Sequence, residues 1–375
     1  MESMSFCRLS TSEWKSKSSG TYMNSREIQG NESLKVYFFT PKVDSNDPIF
    51  GHSLDWIREI SGQAESLKVL AVHFLSTSKD VDPKIDIEEI GGGNFAKRFR
   101  GIVKLIRIGF EIFQSRKKQS VVIYHMIKEP GIVLGLPLKL FRVRQVLWYS
   151  HSSNSLGLNM VNAFVDQVFT PTQDSYPIAS KKMRVVGHGI NSQLFHLSAK
   201  ASEDSREGII SVGRISKIKR LEILIRAMTD INEKVNLIGP IFDRDYYNKL
   251  VNLSANLNVD VTFSGVKAYE SMPSFFLSSK ICYTGSPRTL DKSAIQAAMC
   301  GCFVVSEENS VLYSIGMSEI WTSLGFMTPP NLKIQIKVLC QIQDLEEEQL
   351  RRKLAVISTS RHSLDNLIKE ILFSN

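Results

Sequence analysis

Short runs of apolar residues alternate with helical-length amphipathic stretches from about residue 34 onward. Predominantly apolar runs at 35–40, 67–75, 121–126 and 145–150 read as strands, and those at 165–170 and 184–186 continue the pattern. That is the pattern of strands buried on both faces, which parallel sheets covered by helices require. The periodicity places a helix at about 52–65, after a polar loop at 41–50 and Gly51. After Phe195 the chain turns polar (HLSAKASEDSREG), and a second alternating series begins. Its strands are expected at 209–212, 235–238, 261–263, 280–283 and 303–306. Two doubly wound domains joined by a short linker leave a cleft between their strand ends, the usual place for a ligand in such folds. The expected organisation is a weakly attached extension at 1–33, a first domain at 34–198, a second at 199–360, and a final helix at 361–375 packing back on the first domain.

Composition adds little to the fold and something to function. The 375 residues are 43% hydrophobic and 22% charged, as in globular domains. A net charge of +8 favours anionic partners, either nucleotide phosphates or acidic lipid, and no nucleic-acid motif is present. Cys300 and Cys302 are too close for the usual zinc pair and lack a second pair, so neither a metal nor another cofactor is expected. The first residues lack an apolar core of signal-peptide length, and the most apolar window, 131–147, is broken by Pro137 and three cations. A cytoplasmic protein, soluble or on the inner face of a membrane, is the expectation.

Chemistry concentrates in the second half. The run SVGRISKIKRLEILIRAM joins a strand end to a helix through Gly213, with Arg214 and Lys219 in the loop. Loops leading from a strand end to a helix N-terminus bind anions in α/β folds, Arg bidentately and Lys as a point charge. Downstream, Phe263-Ser-Gly265 ends a strand in a glycine. A Gly/Ser/Pro/Thr loop then ends in Asp291, a candidate cap for a helix at 292–300 that carries Gln296 in its second turn.

The order and spacing of these features resemble the family 4 retaining glycosyltransferases of the GT-B fold. That family shows Gly-Arg-x4-Lys, a Phe-x-Gly strand end, and a Glu-Ala-Met-Ala-Cys-Gly core, matched here by Gln296-Ala-Ala-Met-Cys300-Gly301. Val185 to Phe195 resembles its segment at the domain junction. Phe38 to Asp44, Gly51, Trp56, His125-Met126, Leu147 to His151 and Leu290-Asp-Lys292 resemble one bacterial and archaeal branch.

The resemblance implies an α/β GT-B architecture and a sugar transferred with retention from a UDP- or GDP-sugar to a saccharide or lipid-linked acceptor, as in polysaccharide synthesis. It implies that Arg214 and Lys219 neutralise the diphosphate and that His151 contacts the donor sugar near the reacting carbon. It places Gly213, Gly265, Arg288, Leu290, Asp291, Lys292 and Gln296 around the donor, and Gly51 at the acceptor. Two positions depart from the family, which has acidic residues where Arg288 and Gln296 stand. A glutamine keeps one acceptor oxygen for the ribose but loses the charge. Two alternatives stay open: a non-catalytic homologue that binds sugar nucleotides, and a sugar-nucleotide epimerase of the same architecture. Residues 95–118 form a basic amphipathic run with an apolar stripe at Phe99, Val103, Ile106, Phe110 and Phe113. It suits an anionic membrane surface, or equally a sheet-covering helix with a solvated basic face.

Overall fold

The computed structural model describes residues 34–44, 52–74, 85–91, 95–115, 119–197, 206–287 and 290–374. The first half comprises β1 (Lys35–Val43), α1 (Ser53–Gln63), β2 (Ser66–Phe74), β3 (Asp86–Glu89), α2 (Phe95–Ser115), β4 (Ser120–His125), α3 (Glu129–Leu140), β5 (Arg144–Trp148), α4 (Leu156–Phe164), β6 (Gln167–Thr170) and β7 (Met183–Val185). Its strands form one parallel sheet in the order β3-β2-β1-β4-β5-β6-β7. The central strands β1 and β4 are buried along almost their whole length, which is why they read as continuous apolar runs. The short edge strand β3, with the sequence DIEE, has no apolar run and no sequence signal.

The second half comprises β8 (Glu207–Val212), α5 (Leu221–Ala227), β9 (Val235–Ile238), α6 (Arg244–Leu257), β10 (Val261–Gly265), α7 (Met272–Ser278), β11 (Ser279–Tyr283), α8 (Lys292–Met299) and β12 (Phe303–Val305). The strands form a five-stranded parallel sheet, β10-β9-β8-β11-β12. Helices α9 (Asn309–Ile315), α10 (Met317–Ser323), α11 (Leu332–Gln341), α12 (Asp344–His362) and α13 (Leu364–Phe373) complete the chain.

In each sheet the strand order reverses once, between β1 and β4 in the first and between β8 and β11 in the second. The crevice beyond the carboxyl ends of the strands at such a reversal is where doubly wound sheets hold ligands.

The last helix returns to the first domain. Leu364, Leu367, Ile368, Ile371 and Leu372 of α13 share a core with Val36, Phe38, Trp56 and Ile57. Arg144 ties the end of this helix to β5 by donating to the carbonyls of Leu372 and Ser374, at 2.5 and 2.7 Å. The turn between α12 and α13 is pinned at the domain junction, where Ile190 N donates to His362 O and Leu364 N to Ile190 O.

Candidate active site

The reversal point of the second sheet brings together most of the residues singled out from the sequence. Gly213 follows β8 at φ +148, a backbone state that favours glycine, and an added Cβ would lie 2.8 Å from Lys219 Cε. The loop continues through a short 3-10 turn at Lys217–Lys219 into α5. Tyr283, the last residue of β11, donates its hydroxyl to Arg220 O at 2.9 Å and fixes the loop against the neighbouring strand end.

Lys219 and Arg214 share this loop but have different partners. Lys219 Nζ lies 2.8 Å from Asp291 Oδ2, and Thr284 Oγ1 donates to that same oxygen at 2.7 Å. Arg214 is exposed and stacks its guanidinium on the Phe242 ring, 5.2 Å from its centroid. There it lines an open cavity of about 650 Å³ with Phe242, Arg244 and Asp245.

Asp291 occupies the N-cap position of α8, yet its side chain makes no capping bond. The carboxylate expected to cap the helix holds Lys219 instead. The first turn of α8 is anchored another way, by Ser293 Oγ donating to Val212 O at 3.1 Å.

Three adjacent strands of this sheet end in glycine: Gly213, Gly239 and Gly265. Gly213 N donates to Ile238 O and Gly239 N to Gly265 O, both at 2.9 Å, so the glycines form a continuous backbone shelf. Nothing lies within 4 Å of a Cβ built on Gly265, and a flat ring can approach the backbone there. Gly239 was missed in the sequence because a glycine after a strand reads singly as a turn; its signal is the repetition at three strand ends.

Gln296 lies in the second turn of α8 and is only 7% exposed. Its amide lies near the Tyr269 hydroxyl, which donates to Asp55 Oδ2 at 3.3 Å. Asn191 Nδ2 donates to the other oxygen of Asp55 at 3.0 Å. Burial raises the Asp55 carboxyl above its usual range, against the opposing pull of the Asn191 bond. Gln296 therefore belongs to a polar seam between α1 of the first domain and α8 of the second. Leu290 is buried beside it, with a backbone hydrogen bond to His188.

Lys292 crosses the same seam. Its Nζ lies 2.8 Å from Nε2 of His52, which precedes α1. Burial lowers its pKa to about 7, opposed by the charge of Asp55. His125 and His188 also feel its charge, and burial keeps both imidazoles neutral, His125 down to about 3 and His188 well below its usual value. His125 Nδ1 lies 3.0 Å from Thr40 Oγ1, which joins the ends of β4 and β1 at the reversal point of the first sheet. Of this seam the sequence placed Leu290, Lys292 and Gln296 at the donor; His52, Asp55 and Tyr269 were not singled out. A histidine closing the buried run Val121 to Tyr124 was the available signal for His125.

His151 stands exposed beyond β5, its Nδ1 accepting from Ser153 N at 3.0 Å and lying 2.8 Å from Ser153 Oγ. Among the described residues, no hydrogen bond or ion pair links it to Arg214, Lys219 or Asp291. Gly51 and Arg288 lie outside the described residues, so the structure does not place them.

No protein-family model and no curated protein sequence matches the chain. Solved structures do match its fold. Anabaena HepE in complex with UDP-glucose is 15% identical, with a TM-score of 0.64 over 91% of this chain and 100% of that one. TarM is 9% identical, with a TM-score of 0.65 over 91% of this chain and 99% of that one. The lipopolysaccharide outer core galactosyltransferase WaaB is 12% identical, with a TM-score of 0.56 over 91% and 99%. The seven-stranded and five-stranded parallel sheets of this chain, flanked by helices, are the two Rossmann-like halves of the GT-B fold.

Proposed function

We propose that the protein is a retaining glycosyltransferase of the family 4 type, transferring a sugar from a UDP- or GDP-sugar to a saccharide or lipid-linked acceptor. The observation that carries this reading is the placement of Arg214 and Lys219 on one loop at the β8/β11 reversal point, beside a shelf of three strand-end glycines. The shelf suits the flat base. The cations suit the diphosphate, whose negative charge grows as the bond to the sugar breaks; preplaced cations favour that transition state. Nearby, Asp291 is engaged by Lys219 and Thr284, an arrangement that suits charge balance better than attack on the sugar. The likeness to HepE, which was solved with UDP-glucose, supports a nucleotide-sugar donor.

In this reading Gln296 meets the ribose, while Arg288, Leu290, Asp291 and Lys292 surround the donor sugar. His151 approaches the sugar from the first domain and Gly51 the acceptor. The two cations supply the charge neutralisation that a divalent ion supplies elsewhere, so the reaction is proposed to be metal-independent. Incubation with a panel of UDP- and GDP-sugars, reading the released nucleoside diphosphate with and without EDTA, tests the reading. Release from one donor, insensitive to EDTA, is expected. A folded protein that binds donors but never releases diphosphate would point instead to the non-catalytic homologue.

A peripheral place on the cytoplasmic face of a membrane is the second part of the proposal. The core face of α2 is Leu105, Ile108 and Ile112. The stripe at Val103, Ile106 and Phe110 is not the sheet-covering face: these residues are 52, 60 and 61% exposed. Beside it Phe113 packs on Phe141 with ring centroids 4.4 Å apart, and Leu140 is exposed. Arg100, Lys104 and Arg107 lie on the same helix, Lys104 donating to Glu89 O at 2.7 Å and Arg107 pairing with Glu88, so the apolar strip faces outward next to a basic but partly ion-paired edge. Among the described residues no helix is long and apolar enough to cross a membrane. Flotation with anionic vesicles is expected to carry the protein upward at low salt, and Ile106→Asp with Phe110→Asp to leave it at the bottom.

A further inference from the structure

Resting on the donor reading above, we propose that Lys292 is a third cation for the donor's diphosphate, shared between the two domains, and that the protein takes up a proton at this ammonium when a nucleoside diphosphate binds. Two observations place it there. Lys292 adjoins Asp291, whose carboxylate holds Lys219 at 2.8 Å. It also precedes Ser293, whose hydroxyl is bonded to the carbonyl of Val212 at 3.1 Å, immediately before Gly213 and Arg214. The base of the Lys292 side chain is thus fixed to the same strand end as the clamp loop.

Among the described residues, the ammonium has no counterion in direct contact. At the N-cap of α1 it meets His52 Nε2 at 2.8 Å, while Asp55, in the first turn of that helix, is engaged by Asn191 and Tyr269. His125 from β4 and His188 from the segment after β7 are imidazoles within reach of its charge. Each carries a buried ring nitrogen without a hydrogen-bond partner among the described residues, Nε2 in His125 and Nδ1 in His188. A site offering one lysine and neutral imidazoles, with the nearby carboxylate of Asp55 already occupied, suits an incoming anion with several acceptor oxygens.

Burial holds the empty-state pKa of Lys292 at about 7. A diphosphate beside it favours the charged form, so binding raises that value and draws a proton from solution. The ammonium keeps donors to spare: one for His52 and two for phosphate oxygens. Because Lys292 belongs to the second domain and His52 to the first, the donor binds where the two domains touch.

Calorimetric titration of UDP at pH 8 in two buffers of different ionisation heat tests this, since the diphosphate itself is fully ionised there. The wild-type protein is expected to take up a substantial fraction of one proton per UDP. Lys292→Gln is expected to abolish the uptake and weaken UDP at least about tenfold, one pKa unit's worth of interaction, with uridine binding unchanged. Lys292→Arg is expected to keep most of the affinity and lose the uptake. Wild-type binding of UDP without buffer dependence would overturn the inference, as would equal losses for UDP and uridine in Lys292→Gln. A folded wild-type protein that binds neither UDP nor GDP would overturn the donor reading itself.

Discussion

Lys219 Nζ sits 2.8 Å from Asp291 Oδ2, the acidic residue ahead of α8. The pair is largely shielded, with side chains about 15% exposed, and Thr284 fixes the carboxylate from the other side. A diphosphate arriving at this loop must therefore share Lys219 with a resident negative charge. Replacing Asp291 by Asn keeps the hydrogen-bonding shape and removes the competitor. UDP is expected to bind about threefold to tenfold tighter to Asp291→Asn, the range for a partly screened ion pair. Weaker binding would show that Asp291 positions Lys219 and does not compete for it.

Gln296 offers a second test, because it touches Tyr269, whose hydroxyl is bonded to Asp55. Gln296→Glu restores a charged acceptor for the ribose and places a second carboxylate near a buried one. Affinity for UDP is expected to rise by up to about tenfold, while the urea midpoint falls by the equivalent of about 1–3 kcal/mol at neutral pH. Loss of stability without any gain in affinity would assign Gln296 to the domain seam alone.

Buried imidazoles set the acid side of the stability curve. Burial lowers His125 to about 3 and His362 to about 4, both below the unfolded value of 6.5. The unfolded chain therefore binds more protons as pH falls below 6.5, and stability declines through that window. His125→Gln retains an amide for Thr40 and removes the titration. Urea midpoints between pH 5 and 7 are expected to fall less steeply in this variant; an unchanged slope would mean that His125 carries no linked proton.

Lys292 acts in the opposite range. Its folded value, about 7, lies below the unfolded 10.5, so the unfolded chain holds the extra proton between them and stability rises with pH across that interval. Lys292→Met removes this contribution. The variant is expected to be the more stable protein at pH 7, with the difference shrinking by pH 9.5. A difference independent of pH would contradict the burial of this charge.

The strands of both sheets were legible because parallel strands covered on both faces must be apolar throughout, and residues 121–126 and 303–306 carry that mark without ambiguity. The edge strand β3 was not, since half-exposed DIEE buries too little to leave a pattern. On α2 the sequence showed one apolar stripe, and periodicity alone could not say which face meets the sheet. The structure gives that role to Leu105, Ile108 and Ile112 and leaves Val103, Ile106 and Phe110 of the stripe outside. At the site, the positions of Arg214, Lys219 and Asp291 followed from loop grammar, but the partner of each side chain did not. An Asp before a helix reads as a cap until a lysine some seventy residues upstream is folded against it. The seam of His52, Asp55, Tyr269 and Gln296 was illegible for the same reason: it exists only where two domains meet.

The central claim is that the loop after β8 binds a diphosphate, and calorimetric titration of UDP and uridine into the wild-type, Arg214→Ala and Lys219→Ala proteins tests it most directly. Each substitution is expected to weaken UDP by about tenfold to a hundredfold, the scale of one charge-assisted contact, and to leave uridine unchanged. Equal losses for UDP and uridine, or UDP binding indifferent to both substitutions, would contradict the account.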